Sequence, residues 1–171
     1  MPMKKVDVNK ISDEEWLAIE QEMWIEAYQV AIMALVDQGG SESALNQLRP
    51  HMRMSGHAFS INMTKLFDIQ GSDLDRIGDI CYLFEKFYKH NLNEIERTPN
   101  KIVRVGGTQC PWQSNPKEGC MTGHEMFLNA VCESINPEYH CRFNQMIPKG
   151  DPICSYVIEK KKGNGSESST H

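Results

Sequence analysis

The sequence predicts an α+β fold in which a group of helices packs against antiparallel strands. Helical periodicity dominates the chain as far as about Leu92. The later apolar runs are short, rich in β-branched residues and bounded by turn residues, as is typical of strands. Because no helix separates the two strands of each pair, we expect antiparallel hairpins. The predicted order is three helices, a hairpin, one further helix and a second hairpin (αααββαββ).

The first predicted helix begins after Ser12. Ser12 and Glu15 have the spacing of a capping box, in which each side chain bonds the backbone N–H of the other residue. Apolar side chains follow in two rows as far as Gly39 and Gly40, which suit a helix stop. Two apolar rows indicate burial on more than one side, by neighbouring helices or by a second subunit.

Two more helices complete the predicted N-terminal half. Ser41 is the predicted cap of the second helix, and Pro50 either kinks that helix or separates a short segment from a longer one over about 51–69. In the third helix, from Ser72 to about Leu92, apolar positions recur every three to four residues.

The C-terminal half carries the predicted strands. The first hairpin pairs residues 95–98 with 101–107, and a helix follows over about 118–134. The second hairpin pairs residues 139–147 with 153–160.

Length and composition indicate one domain. The 171 residues, of which 40% are apolar, suffice for a single core over residues 12–160. We expect residues 1–11 to form an N-terminal extension and the polar segment 161–171 to form a disordered tail.

Charge and hydropathy exclude several classes of protein. There are 18 Lys and Arg against 23 Asp and Glu, a net charge of −5 without a basic stripe, so nucleic acid is not an expected partner. No apolar run approaches the roughly 20 residues that a membrane-spanning helix needs, and the N-terminus lacks the apolar core of a signal peptide. We therefore expect a cytoplasmic protein with no membrane partner.

Four residues of the cysteine-rich C-terminal half form a candidate metal site. In a cytoplasmic protein, six cysteines are core residues, metal ligands or reactive thiols in preference to disulfides. Cys120 and His124 project from one face of a predicted helix, and Cys110 and Cys154 complete a tetrahedral set that suits zinc. The helix N-terminus is expected to lower the pKa of the Cys120 thiol.

A thiol nucleophile is the competing interpretation of the same residues. Cys110 would be the nucleophile, with His124 or His140 as its general base. Trp112 would line the site as an aromatic wall, although it also suits an anchor of its loop to the core.

Three further residues have both a structural and a functional interpretation. His57 is a candidate to face a ligand, but a histidine in this setting is more often a core or surface residue. Cys81 and Cys132 are expected to fill the core.

The C-terminal motifs carry a resemblance to a known family. With the helices before them, they resemble the L-2-amino-thiazoline-4-carboxylic acid hydrolase family over about residues 12–160. The end of this pattern is also similar to 4-vinyl reductase-like small-molecule-binding domains, although Met146 stands where those domains often carry a cysteine. The motifs are Cys110-Pro111-Trp112, Cys120, His124, Ile135-Asn136-Pro137 and Gly150-Asp151-Pro152-Ile153-Cys154.

The first family implies hydrolytic opening of a small sulfur and nitrogen heterocycle that bears a carboxylate. The nucleophile would be either a zinc-bound hydroxide or the Cys110 thiolate. The site would comprise Cys110, Cys120, His124 and Cys154, lined by Trp112 and His140.

Two alternatives belong to other classes of protein. The first is a non-catalytic receptor, in which the thiols and the imidazole close a structural zinc site and a pocket binds a small apolar or carboxylated ligand. The second is an assembly subunit that forms a homodimer through its first helix, where Trp24 and Ile32 are the residues to test.

Overall fold

The computed structural model describes residues 12–107, 110 and 117–161, and the predicted extension and tail lie outside these ranges. The helices are α1 (Asp13–Leu66), α2 (Asp73–Phe87), α3 (Lys117–Cys120) and α4 (Phe127–Ile135), with a π-helical segment (Met121–Met126) that joins α3 to α4. The strands are β1 (Leu92–Thr98), β2 (Lys101–Gly106), β3 (Tyr139–Gln145) and β4 (Cys154–Lys160). A short 3₁₀ turn (Ile147–Lys149) links β3 to β4. The predicted α+β class is confirmed.

Helix α1 begins with the predicted capping box and reverses at Gly40. The side chain of Ser12 accepts from the Glu15 backbone, and the Glu15 carboxylate accepts from the Ser12 backbone. Gly40 has a φ of 75° and a ψ of 172°, angles that end one helix and start another. We call residues 13–39 the first limb of α1 and residues 41–66 the second limb.

The two limbs of α1 lie side by side. Tyr28 of the first limb and Met52 of the second line one cavity, and Gln21 shares a groove with Asn62. A straight helix would separate such residues by tens of ångströms, because each residue advances about 1.5 Å. The predicted division into two helices at Gly39 and Gly40 is therefore correct.

Two predicted helix features differ in the structure. Pro50 lies inside the second limb without breaking it, since the φ of proline fits a helix and its ring removes only one backbone hydrogen bond. Helix α2 ends at Phe87, earlier than predicted, where Lys89 adopts a φ of 56° and the His90 N–H donates to the carbonyl of Glu85. Because of this turn, His90 lies outside the helix.

The two predicted hairpins join into one antiparallel sheet of order β1-β2-β4-β3. Strands β2 and β4 pair from Lys101 with Glu159 to Gly106 with Cys154. Helices α2 and α4 pack on one face of this sheet, and α1 packs on α4 from the far side. No helix within the described ranges is long and apolar enough to cross a bilayer.

A buried polar network connects α2 to the sheet. The Tyr156 hydroxyl donates to the Glu85 carboxylate, and the Arg104 guanidinium lies 3.1 Å from the other carboxylate oxygen. All three residues are at most 3% exposed. Burial raises the pKa of Glu85 to about 7, against the opposing effect of Arg104.

Candidate functional site

Three strand ends and one helix meet at the candidate site. Strand β1 begins, β2 ends and β4 begins at the same edge of the sheet. A side chain at Gly106 would come within 2.1 Å of the carbonyl oxygen of Asn91, so only glycine permits this approach. The next residue, Gly107, has a φ of 86°, a conformation that favours glycine.

Cys120, the last residue of α3, and His124 of the π-helical segment lie at this edge. The wide turn of that segment is fixed by Thr122, whose hydroxyl donates to the carbonyl of Glu118 at 2.7 Å and lies 2.9 Å from the Tyr28 hydroxyl. Such segments are frequent at functional sites. The predicted pairing of Cys120 with His124 is present, since both line one small cavity.

This small cavity, which we call the thiol cavity, has a volume of about 20 Å³. All four residues predicted as zinc ligands line this cavity. The sulfur-bearing side chains that line the thiol cavity are Cys110, Cys120, Met146 and Cys154.

The thiols of Cys110 and Cys154 are hydrogen-bonded to each other. The Cys154 sulfur also accepts from the backbone N–H of Ile147 at 3.4 Å. The Cys110 hydrogen bond, helped by the Ile147 N–H, lowers the pKa of the Cys154 thiol to about 7 in spite of burial. The pKa of the Cys154 thiol therefore lies below the ordinary value for cysteine.

The pKa of the Cys120 thiol differs from the prediction. Burial raises the pKa of this thiol to about 12, and the neighbouring Cys154 adds to the effect. The expected lowering by a helix N-terminus was wrong, because loss of water outweighs the field of the short helix α3, whose four residues continue directly into the π-helical segment.

Two imidazoles form one wall of the thiol cavity. The rings of His90 and His124 meet edge to face with 3.9 Å between centroids. Burial lowers the pKa of His124 to about 4, and burial with the charge of His124 holds the pKa of His90 well below its ordinary value. Both rings are therefore neutral near pH 7. The Nε2 atom of His124 is buried and has no hydrogen-bond partner among the residues that the structure describes.

A larger cavity of about 380 Å³ is lined by the same two imidazoles, and we call it the apolar cavity. Both limbs of α1, helix α2 and the π-helical segment build its walls. Its size falls within the range of small-molecule pockets. Its residues are Trp24, Ala27, Tyr28, Ala31, Met52, Ser55, Phe84, Tyr88, His90, Gly119, Gly123, His124 and Phe127.

The donor chemistry of the thiol cavity suits zinc, since thiolates and imidazoles are the usual ligands of that ion. Across the described ranges, however, no three His, Cys, Asp or Glu side chains are placed to hold a metal ion. The zinc site therefore stays a prediction.

The remaining sequence-predicted residues lie elsewhere. His140 is on β3 beside Cys141, whose side chain packs in the core, so His140 points to the opposite face of the sheet. His57 lines neither cavity, and Trp112 falls outside the described residues. Cys81 and Cys132 are 0% exposed in the core, as predicted.

Sequence reasoning missed His90. The residue follows the amphipathic pattern of α2 and resembles a helix-end histidine, so its position beside His124 depends on the turn after Tyr88. The missed aromatic residues Tyr28 and Phe84 had the periodicity of core residues, and a cavity cannot be distinguished from a core by spacing alone.

Comparison with known proteins defines the fold and no more. No protein-family model matches the sequence, and no curated protein matches it significantly. Among solved structures, the chain is similar to a trafficking protein particle complex subunit 3 from Naegleria fowleri covalently bound to palmitic acid. The TM-score is 0.63 at 12% identity, and the match covers 85% of this chain and 97% of that chain.

Proposed function

We propose that the protein binds a small apolar or aromatic ligand with one carboxyl group in the apolar cavity. One observation carries the proposal: the cavity of about 380 Å³ is lined by aromatic and aliphatic side chains, and the imidazole of His124, with its unpartnered Nε2, forms part of the wall. Apolar walls with one polar group are typical of ligand pockets.

The protonation state of His124 determines whether binding of the ligand takes up protons. The neutral ring carries a buried nitrogen whose hydrogen bond is missing, and a ligand carboxyl group can supply it. A bound carboxylate would favour the protonated imidazole and raise the pKa of His124 from about 4. Binding near pH 6 therefore takes up protons, which calorimetry in buffers of different ionisation enthalpy detects.

The similar trafficking subunit supports this ligand class. That protein is covalently bound to palmitic acid, so a protein with this fold accommodates a long apolar chain. In the present chain, the groove that contains Gln21 and Asn62 shares Ser55, Tyr88 and Phe127 with the apolar cavity. The apolar surface therefore continues beyond the cavity.

Matched alanine variants test the proposal. Ala31 and Ala34 are both exposed residues of the first limb, but only Ala31 lines the apolar cavity. With 1-naphthoate and palmitate as probes, we expect Ala31→Trp to lose binding measured by calorimetry and Ala34→Trp to keep it. Equal binding by both variants, or no binding of either probe by the native protein, would refute the proposal.

Hydrolysis is the second candidate, and the acidic thiol of Cys154 favours it. As the family resemblance implies, a thiolate would attack the amidine-like carbon of an aminothiazoline carboxylate. The ring bond from that carbon to sulfur or nitrogen would break as the departing atom is protonated, and water would then displace the cysteine thiolate to give a carbamoyl cysteine. In this second proposal the nucleophile is Cys154, with Cys110 as the thiol that hydrogen-bonds to it, the reverse of the sequence-based assignment.

A zinc ion held by Cys110, Cys120, His124 and Cys154 would supply Lewis acidity. The test of hydrolysis is turnover of aminothiazoline carboxylate by the native protein, its loss in Cys154→Ser and its retention in Cys132→Ser, a buried core control. Absence of turnover by the native protein would exclude the hydrolase and leave ligand binding untouched.

A homodimer through the first limb of α1 is a separate proposal. This limb exposes several large apolar side chains, while Ile32 is 1% exposed and packs within the chain. Substitution of Ile32 would therefore test folding instead of association, and Trp24 lines the apolar cavity. Val30→Glu is the better test, and we expect it to convert a dimer to a monomer in light scattering. The exposed side chains are Trp16, Leu17, Ile19, Met23, Trp24, Val30 and Met33.

A further inference from the structure

We propose that Cys110 and Cys154 form a redox-active dithiol that hydrogen peroxide converts to an intramolecular disulfide. The inference rests on the contact between two thiols and does not depend on the ligand of the apolar cavity. Cys154 begins β4 opposite Gly106, and Cys110 follows Gly106 by four residues. Cys110 and Cys154 line the same small cavity, together with Gly107.

Burial distinguishes this pair from the other cysteines. Cys81, Cys132 and Cys141 are at most 2% exposed, and Cys120 is 5% exposed. Cys110 and Cys154 are both partly exposed and hydrogen-bonded to each other. Oxidation of cysteine follows exposure and thiolate character, so the pair is the expected target.

The surroundings of Cys154 support a nucleophilic sulfur. The N–H of Ile147 points at that sulfur and stabilises negative charge on it. The Cys110 thiol is in hydrogen-bond contact with the same sulfur, so it can act as the resolving thiol. A disulfide bond is about 2.05 Å long, so closure requires the two hydrogen-bonded sulfurs to move closer together.

The two steps balance. The Cys154 thiolate attacks one oxygen of hydrogen peroxide, the O–O bond breaks, and the products are a Cys154 sulfenic acid and hydroxide, which takes up a proton to become water. The Cys110 sulfur then attacks the sulfenic sulfur, the S–O bond breaks, and the disulfide forms as a second water leaves with the Cys110 proton. The two sulfurs lose two electrons in total, and hydrogen peroxide gains them.

The sequence makes the product easy to identify. Trypsin cuts after Arg104, Lys117, Lys149 and Lys160, so Cys110 and Cys154 each fall alone in a peptide, 105–117 and 150–160. Cys120 falls in the peptide 118–142 together with Cys132 and Cys141. A cross-link between the first two peptides therefore identifies the Cys110–Cys154 disulfide without ambiguity.

The experiment treats the full chain with hydrogen peroxide in buffer containing a chelator, followed by alkylation and digestion without reductant. We expect the cross-linked peptides to dominate, the six thiols of the denatured chain to fall by two, and dithiothreitol to restore both. Cys110→Ser should trap the Cys154 sulfenic acid as a dimedone adduct, and Cys120→Ser should cross-link like the native protein.

Two results would overturn the inference. One is a native protein that keeps six thiols under peroxide while a small dithiol control is oxidised. The other is a cross-link that joins peptide 118–142 to either partner, which would assign the reactive pair to Cys120.

Discussion

His124→Phe isolates the cost of keeping a neutral imidazole inside the protein. In the native chain, burial lowers the pKa of His124 from 6.5 to about 4. Between these two pH values, the unfolded state therefore binds a proton at His124 that the folded state does not bind. Stability is fully present above pH 6.5 and is lost as the pH falls toward 4.

The magnitude follows from the shift. At about 1.4 kcal/mol for each pH unit, the fall of the pKa from 6.5 to about 4 corresponds to about 3 kcal/mol. Phenylalanine keeps the ring contacts with Phe84 and His90 but cannot be protonated. Between pH 7 and pH 4, we expect the variant to lose about 3 kcal/mol less of its free energy of unfolding than the native protein.

Urea unfolding at both pH values, followed by circular dichroism, measures this difference. Any strain from the larger ring affects both pH values alike and cancels. Phe127→Leu is the control, because it changes a residue of the same cavity without a titrating group, and it should keep the native pH dependence. If the free energy of unfolding changed equally between pH 7 and pH 4 in His124→Phe and in the native protein, the inference that His124 is buried as a neutral imidazole would be wrong.

Two further predictions concern the core. Because burial raises the pKa of Glu85 to about 7, its contribution to stability is present below pH 4.5 and is lost as the pH rises through 7. The native protein should therefore lose free energy of unfolding between pH 5 and pH 8, and Glu85→Gln should reduce that loss by about 2 to 3 kcal/mol, as measured by urea unfolding. A side chain at Gly56 would approach the carbonyl oxygen of Phe127 to 2.5 Å. Gly56→Val should therefore lower the free energy of unfolding by more than about 2 kcal/mol, whereas exposed Ala58→Val should change it by about half a kcal/mol; similar values for the two would contradict the close packing of the helices.

Local sequence signals predicted the elements well because their causes are local. The capping box at Ser12, the turn at Gly40 and the β-branched residues of β2 each act within a few residues. The pairing of β2 with β4, which joins the hairpins into one sheet, depends on distant residues and was not predicted. Pro50 was overestimated as a breaker, because tertiary packing can offset one missing backbone hydrogen bond.

The candidate site was predicted in part for the same reason. Cys120 and His124 share a helix face, so spacing revealed them, and the gathering of Cys110 and Cys154 beside them agrees with the predicted set. The acidity of the thiols was assigned to the wrong residue. Burial determined the pKa of Cys120, and the hydrogen bond with Cys110 determined that of Cys154; neither can be read from residue types.

The reversal of α1 at Gly40 constrains the length of the chain as well as its composition. Trp24 and Tyr28 before the reversal face Met52 and Ser55 after it across one cavity. Deleting a single residue on either side would rotate that limb by about 100° and turn its lining residues out of the cavity. Codon-deletion scanning of this hairpin would therefore find intolerant positions where alanine scanning finds none.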